Sequence, residues 1–133
     1  MTQIDRIFVY GTLMSTSTYG LAKQFHGQAD LIGNAKWAGR LFHLGSYPGA
    51  ARSTDENTWV MGELWLLHNP DTAFPFLDDY EGCSEHHPFP HEYRRSVEKV
   101  WMGDREIAAW MYVYQLPTKK LMQIPSGRFG NTA

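Results

Sequence analysis

The stretch Ile7-Phe8-Val9-Tyr10-Gly11-Thr12-Leu13 predicts a strand that ends in a binding turn. Its first three residues favour a strand, and Gly11 allows backbone conformations that a residue with a Cβ resists. Such a turn leaves backbone N–H groups free to attract a carboxylate or phosphate, or to hold an oxyanion while it forms. A glycine is also common in strand-to-helix turns for backbone reasons alone, so this stretch by itself leaves both interpretations open.

Hydrophobic patterning predicts further strands and two helices in the order βαββαββ, which indicates the α+β class with a small mixed, barrel-like sheet that closes on itself. The expected helices run from Thr18 to about His26, capped by Ser17 or Thr18, and from the capping residue Asn69 towards Tyr80. The expected strands are Ile4–Tyr10, Trp37–Leu44, Thr58–Leu67, Tyr93–Trp101 and Glu106–Tyr114.

Glycine and proline refine this plan at several points. Gly62 lies inside the strand that should be central, so it suggests a bulge or a close approach by another group. Pro75 should divide the second helix into two short turns or kink it. Residues 46–49 read as a turn and 82–91 as a loop, and 102–105 suit the turn of a hairpin.

Length and composition indicate one domain over residues 1–133, with a core at about 4–116 and the C-terminal segment 117–133 as a candidate cover for the pocket. A net charge of −2 gives no broad basic field, so neither nucleic acid nor a membrane is an expected partner. Cys83 is the only cysteine, and the first residues have no apolar run of the signal-peptide kind. We therefore expect a soluble cytoplasmic protein with a small-molecule ligand.

Five tryptophans contribute to an aromatic content of 14%. They fall mostly in expected strands, where aromatic side chains first serve packing. We expect most of them in the core and one or two in the wall of a pocket.

Five short motifs stand in an order that resembles the γ-glutamylcyclotransferase-like family. The resemblance covers most of the chain, from about Ile7 to about Tyr114, and 124–127 form a family-like ending. It implies a small domain with a barrel-like mixed sheet, and an amine-releasing lyase or acyltransferase that frees γ-glutamyl groups as 5-oxoproline without a cofactor or metal. The motifs are Tyr10-Gly11-Thr12-Leu13, Tyr47-Pro48-Gly49, Gly62-Glu63-Leu64, Leu77-Asp78-Asp79-Tyr80-Glu81-Gly82 and Tyr93-Arg94-Arg95.

The resemblance implies that Glu81 occupies the position of the family's catalytic glutamate. It also implies that the turn formed by Tyr10, Gly11, Thr12 and Leu13 contacts the substrate. Tyr93 and Arg95 share a strand face, so their side chains could support the substrate or Glu81, with cross-strand packing and a surface salt bridge as the alternative. Arg94, on the other face, should be solvated. Arg128, which follows the closing glycine where family members often have an acidic or aromatic residue, could meet a carboxylate at the far end of the substrate or belong to a free tail.

The reaction needs a base, because the α-amine of a γ-glutamyl group is charged at neutral pH. A glutamate of pKa about 4.3 acting on an ammonium of pKa about 8 faces a cost of roughly 5 kcal/mol, and burial that raises the carboxyl to about 7 reduces it to roughly 1.4 kcal/mol. Glu81 follows Tyr80 and lies near Phe74, Phe76 and Leu77 in sequence, so we expect it to be shielded. For an arbitrary glutamate, a solvated position at a helix end would be the ordinary outcome.

Three alternatives remain open at this stage. A binding module could keep the pocket without turnover, a metal could be held by the acidic and histidine residues between Asp78 and His91, or Cys83 could act as a nucleophile. No His-x₃-His pair or HExxH pattern supports the metal. The identity of the leaving amine and the oligomeric state have no signal in the sequence.

Overall fold

The computed structural model describes residues 4–18, 21–55 and 57–130. Within these ranges the chain forms seven strands and two helices. The strands are β1 (Arg6–Val9), β2 (Ala29–Ala38), β3 (Arg40–His43), β4 (Pro48–Ala51), β5 (Trp59–Leu67), β6 (Tyr93–Met102) and β7 (Arg105–Tyr114). The helices are α1 (Ala22–His26) and α2 (Pro70–Tyr80). Neither helix in these ranges is long and apolar enough to cross a membrane.

A closed five-stranded barrel in the order β1-β5-β2-β6-β7 forms the frame, and β3 and β4 make a separate two-stranded sheet. Neighbouring barrel strands are antiparallel, except that β7 closes the barrel parallel to β1, with Trp110 opposite Ile7. The indole N–H of Trp110 also donates to the Ile4 carbonyl oxygen at 3.0 Å. The expected α+β class with a mixed, barrel-like sheet is confirmed.

Side chains alternate along the strands and divide the apolar residues into two clusters. One cluster takes members from all five barrel strands, including Phe8, Leu64 and Met111, and fills the interior of the barrel. The other joins the outer faces of β1, β5 and β7 to the buried sides of the two helices, including Phe25 and Leu77. The helices therefore cover one side of the barrel, as expected for a sheet whose two faces are both buried.

The expected single strand over Trp37–Leu44 is wrong, because the chain changes sheets at Gly39. A Cβ at this position would lie 2.3 Å from the Trp37 ring and 2.7 Å from the Ala51 carbonyl oxygen. Residues 29–36, which were not expected to be a strand, form most of β2, and their pairing with β5 includes a register shift between residues 31 and 33. The expected turn at 46–49 also ends early, since Pro48 begins β4.

Both helices differ from expectation. Helix α1 begins only at Ala22, and its N-cap Leu21 makes no side-chain capping bond, so capping by Ser17 or Thr18 is wrong. Residues 19 and 20 of the expected range lie outside the described residues. Helix α2 is capped by Asn69 as expected, since the Asn69 side chain accepts from the Asp71 N–H at 3.1 Å. The helix continues through Pro75 without a break, which rules out two separate turns. The buried face around Phe74 and Leu77 outweighs the one missing backbone bond.

In the second half of the chain, the observed elements agree more closely with those expected from the sequence. Strands β6 and β7 form the expected hairpin, with Gly103 in the left-handed region at a φ of 63°. Residues 82–91 contain no helix or strand. The described part of the C-terminal segment contacts both sheets. The N–H of Ile124 donates to the carbonyl oxygen of Leu41 in β3 at 2.7 Å, and the Gly127 carbonyl oxygen accepts from the N–H of Met61 in β5 at 2.7 Å.

Gly62 fulfils the expectation of a close approach. A Cβ at this position of β5 would lie 2.3 Å from the Val9 carbonyl oxygen and 2.8 Å from the Phe8 ring. We predict that Gly62→Ala lowers the free energy of unfolding by about 1–3 kcal/mol, because the added methyl forces β1 and β5 apart. Denaturant unfolding measures this change.

The matched control for Gly62→Ala is Gly27→Ala. Gly27 has a φ of −80°, and its Cβ would meet nothing closer than 3.6 Å. This substitution should change the free energy of unfolding by less than about 1 kcal/mol. Equal losses in the two variants would contradict the close packing of β1 on β5.

Candidate active site

A cavity of about 410 Å³ opens at the end of the barrel where β1 stops. Its wall combines the turn after β1, the segment that enters β4, the end of α2 and the facing ends of β6 and β7. The lining residues are 8–13, 46–48, 80–82, Glu92, Tyr93 and Tyr112. The described part of the C-terminal segment contributes none of them, and Arg128 is exposed away from this lining.

The turn after β1 presents its backbone to this cavity. The N–H of Met14 donates to the Gly11 carbonyl oxygen at 3.1 Å, which bends the chain. Within the described residues, the N–H groups of Gly11, Thr12 and Leu13 donate no hydrogen bond. Three successive free amides in a concave turn are suited to an anion or an oxyanion.

Close packing, and not a left-handed φ, requires the glycine of this turn. The backbone of Gly11 has no positive φ, but a Cβ would lie 2.7 Å from the Pro48 side chain. The Leu13 side chain is buried in the outer apolar cluster, so only its backbone is offered to the cavity. Two further contacts hold the turn: Thr12 Oγ1 hydrogen-bonds the Tyr80 hydroxyl at 2.7 Å, and the Leu13 carbonyl oxygen lies 2.9 Å from Nε2 of His26.

Glu81 lies where α2 ends, and its N–H donates to the Leu77 carbonyl oxygen at 2.9 Å. Its carboxyl group forms no hydrogen bond or ion pair with any described residue, although its side chain lines the cavity. The pKa of this carboxyl is raised from its ordinary value of 4.5 to about 8, mainly by burial and in part by the charges of the nearby acids Asp78 and Glu92. The end of a helix adds no compensating positive charge.

Five tyrosines form much of the wall around Glu81: Tyr10, Tyr47, Tyr80, Tyr93 and Tyr112. Burial raises the pKa of Tyr10, Tyr93 and Tyr112 well above its usual value, and hydrogen bonding to Glu92 raises that of Tyr47 to about 12. These phenols therefore stay neutral. The expectation that one or two tryptophans line the pocket is wrong, since none belongs to the described lining.

The phenol groups are fixed by acceptors of the protein itself. The hydroxyl of Tyr10 donates to the Tyr112 carbonyl oxygen at 2.5 Å, and the hydroxyl of Tyr93 donates to the Pro48 carbonyl oxygen. The hydroxyl of Tyr112 donates to Asp78 Oδ1 at 2.7 Å. This bonding fixes the orientation of the three phenols. Of the two acids in the described lining, Glu92 accepts from Tyr47 and Glu81 has no hydrogen-bond partner.

Arg95 does not line the cavity. Its guanidinium binds Asp78 through two hydrogen bonds of 2.9 and 3.3 Å, and it lies over the rings of Phe74 and Trp110 at 3.9 and 4.6 Å from their centroids. The structure therefore brings Tyr93 to the cavity with the turn and Glu81, and places Arg95 behind Asp78. Arg94 is exposed on the opposite strand face, as the alternation predicts.

Comparison with known proteins gives a consistent result. The family model described as gamma-glutamyl cyclotransferase, AIG2-like, matches residues 7–131. The chain belongs to this family. It is 33% identical over 129 residues to the gamma-glutamylcyclotransferase family protein YtfP of Escherichia coli strain K12, covering 92% of this chain and 93% of that relative.

Two solved structures share the fold of this chain. The solution structure of ytfP from Escherichia coli superposes with a TM-score of 0.64 at 30% identity, over 95% of this chain and 96% of that one. The crystal structure of an aig2-like protein from Mus musculus superposes with a TM-score of 0.63 at 22% identity, over 84% and 78% of the two chains. The latter likeness shows the fold alone.

Sequence reasoning assigned no role to two cavity-lining residues that the structure brings together. The hydroxyl of Tyr47 donates to Glu92 Oε1 at 2.8 Å, and both residues line the cavity. A signal existed for Tyr47, since it belongs to one of the five motifs. Glu92 lies just before β6 at the end of an irregular loop, where sequence pattern gives no orientation.

The metal and thiol alternatives gain no support from the described residues of this family member. In that part of the chain, no three His, Cys, Asp or Glu side chains are grouped so that they could hold a metal ion. His87 and His91 are instead engaged within their loop, with Ser84 and with the His87 carbonyl oxygen. Burial raises the pKa of Cys83 to about 12, so its reactive thiolate form is disfavoured.

The raised pKa of Glu81 predicts a pH-dependent loss of stability. The Glu81 carboxyl has a pKa of about 8 in the folded state, against an ordinary value of 4.5. Proton binding by Glu81 therefore stabilises the folded state fully below about pH 4.5, and this stabilisation is lost as the pH rises towards 8. The free energy of unfolding of wild type minus that of Glu81→Gln should therefore fall across this window and level off above it. Urea unfolding at constant ionic strength measures the difference, and a difference independent of pH would contradict the burial of this carboxyl.

Proposed function

We propose that the chain cleaves a γ-glutamyl amide by intramolecular cyclisation. The α-amine of the glutamyl group attacks its own γ-carbonyl carbon, a C–N bond of a five-membered lactam forms, and the original amide C–N bond breaks. The products are 5-oxoproline and an amine. No external nucleophile is needed, and well-oriented intramolecular attack is worth on the order of 10⁵ to 10⁸ M in effective concentration.

The observation that carries this proposal is the unpaired, desolvated carboxyl of Glu81 in a cavity that also presents free backbone amides. A carboxylate used only for structure would have donors around it, as Glu63, Asp78 and Glu92 have here. An acid left without partners is instead available to a proton of the substrate.

Glu81 transfers the proton in this mechanism. Its carboxylate accepts one proton from the α-ammonium, which frees the nitrogen lone pair for attack, and then donates that proton to the leaving nitrogen as the tetrahedral intermediate collapses. The second proton leaves the new lactam nitrogen and ends on the released amine, which departs as an ammonium ion. The glutamate returns to its starting form.

The pKa of about 8 for Glu81 suits it to this exchange. An α-ammonium near 8 then differs little from its base, so the cost of roughly 5 kcal/mol expected for an ordinary glutamate nearly disappears. The same match helps the return step, because a carboxylic acid near the operating pH donates as readily as it accepts.

The turn 11–13 supplies the anion-binding part of the proposal. In the described lining of the cavity there is no lysine, arginine or histidine, so a substrate carboxylate depends on hydrogen bonds from neutral donors. The free amides of Gly11, Thr12 and Leu13 are suited to hold the α-carboxylate or the oxyanion of the tetrahedral intermediate. Tyr93 helps to shape the wall, and Arg95 would act indirectly by fixing Asp78 beneath Tyr112.

We predict that Glu81→Gln lowers the rate of 5-oxoproline release by on the order of 10² to 10⁴, because the amide cannot accept the ammonium proton. Release is measured with a panel of γ-glutamyl amino acids, peptides, an isopeptide-linked lysine and small amines. Substrate affinity and folding should change little. Product from Glu81→Gln at the wild-type rate would contradict the role of this residue.

Asp79→Asn is the matched control. Asp79 is a carboxylate in the last turn of α2, two residues before Glu81, exposed and outside the cavity lining. It should release 5-oxoproline at the wild-type rate. Wild-type protein that binds γ-glutamyl compounds but releases no product from any of them would instead identify a binding module.

The pH dependence of kcat/KM gives a further prediction. Below about 8 the free carboxyl of Glu81 is protonated, so kcat/KM should rise about tenfold per pH unit towards that value. Above the pKa of the substrate ammonium it should fall again, since the productive complex needs one proton shared by the pair. Steady-state rates from pH 5 to 10 measure this profile, and an acidic limb near 4.5 would show that Glu81 is not desolvated.

A further inference from the structure

Glu63 is a buried acid of β5 that does not line the cavity. It lies opposite Val9, the last residue of β1, and its relative exposure is 9%. Its Oε1 accepts from the Ser15 N–H at 2.7 Å and from the Trp65 indole N–H at 3.1 Å, and its Oε2 accepts from the Ser15 hydroxyl at 2.5 Å. Within the described residues it has no cationic partner.

These three bonds link the frame of the barrel to the turn. A buried carboxylate is stable only when its oxygens are hydrogen-bonded, and two of the three donors belong to Ser15. Ser15 follows directly after the bend that joins Gly11 to Met14. The turn is therefore fixed at its start by the strand pairing of Val9 with Glu63, and at its end by the hydrogen bonds from Ser15 to the Glu63 carboxylate.

We propose that Glu63 is a positioning residue for substrate binding, which aims the amides of Gly11, Thr12 and Leu13 at the cavity by holding Ser15. It acts through the turn and touches no reacting atom. The proposal extends the proposed function, because it takes those amides as the site of the α-carboxylate. Hydrogen bonds weaken steeply with misalignment, so a turn released from Glu63 would bind that carboxylate poorly.

The geometry of the three bonds predicts different results for two substitutions. In Glu63→Gln the side-chain carbonyl can occupy the Oε1 site and accept both N–H donors, while its NH₂ group donates to a reoriented Ser15 hydroxyl. This variant retains all three contacts. Glu63→Leu is similar in size, removes every acceptor and leaves the Ser15 and Trp65 donors without a partner.

Steady-state kinetics of 5-oxoproline release test the proposal. Glu63→Leu should raise KM at least tenfold with kcat within about threefold of wild type, because the lost interaction holds the α-carboxylate equally in substrate and transition state. Glu63→Gln should stay within about threefold of wild type in both constants. A residue that only stabilises the fold would lower the melting temperature or the active fraction, and hence kcat, without changing KM.

Ser15→Ala provides a second variant, in case Glu63→Leu does not fold. Ser15 is exposed, and alanine removes the hydroxyl donor while keeping the N–H bond, so KM should rise by a smaller factor, about two to five. In the double variant with Glu63→Leu, this additional effect should vanish, because both changes remove the same link. An unchanged KM in Ser15→Ala and in folded Glu63→Leu would overturn the proposal, as would a loss in Glu63→Gln equal to that in Glu63→Leu.

Affinity for 5-oxoproline separates this proposal from the proposed function. This compound keeps the α-carboxylate but has no amine to release, and its binding can be followed by titration of amide chemical shifts. If wild type turns over no γ-glutamyl amide, the proposed function fails, yet weaker 5-oxoproline binding in Glu63→Leu than in Glu63→Gln would still support the role of Glu63. Equal binding in the two variants, or no binding by wild type, would overturn it.

Discussion

The parallel pairing of β7 with β1 is the constraint on which the site depends. It joins the first and last strands of the barrel, and the Trp110 indole adds a bond to the chain just before β1. Since β1 ends after four residues while β7 continues to Tyr114, the turn that follows β1 comes to rest beside the end of β7. Helix α2, packed on the outer face of the barrel, brings its C-terminal end to the same place.

Four acids near this place show how the same chemical group serves different purposes. Asp78 is paired with Arg95 and accepts from Tyr112, Glu63 accepts from three donors, and Glu92 accepts from Tyr47. Each of these carboxylates has its burial compensated by hydrogen bonds. Glu81 alone among the four has no such bond within the described residues, and its proton affinity is accordingly raised.

The sequence predicted those parts of the fold whose signals are local. Strand β5, the β6–β7 hairpin and the Asn69 cap of α2 could be read directly, because apolar runs, a glycine turn and a capping side chain each act over a few residues. Most of β2 could not be read, since Leu31 and Ile32 are exposed, Gly33 and Asn34 disfavour a strand, and the segment is a strand through its pairing with β5. The two-stranded sheet of β3 and β4 was not predicted either, because Pro48 and Gly49 at the start of β4 are typical turn residues.

The candidate site likewise has features that the sequence predicted and features that it did not. The turn, Glu81 and Tyr93 were identified from motifs in their sequence order, and the structure brings them to one cavity. Shielding of Glu81 was expected from its neighbours Phe74, Phe76 and Leu77, but the described cavity wall contains none of the three and is formed largely by tyrosines distant in sequence. The position of Arg95 was also beyond sequence reasoning, because strand alternation gives the face of a side chain and not which partner on α2 it meets.

Direct titration of the Glu81 carboxyl carbon by NMR, in protein labelled at glutamate side chains and assigned with Glu81→Gln, tests the central claim that this acid is desolvated and without a partner. One glutamate resonance, absent from the variant, should titrate near pH 8, and its titration should move to lower pH when a γ-glutamyl ligand places its ammonium in the cavity. A Glu81 resonance that titrates near 4.5 and does not respond to ligand would contradict a desolvated, unpaired Glu81 carboxyl.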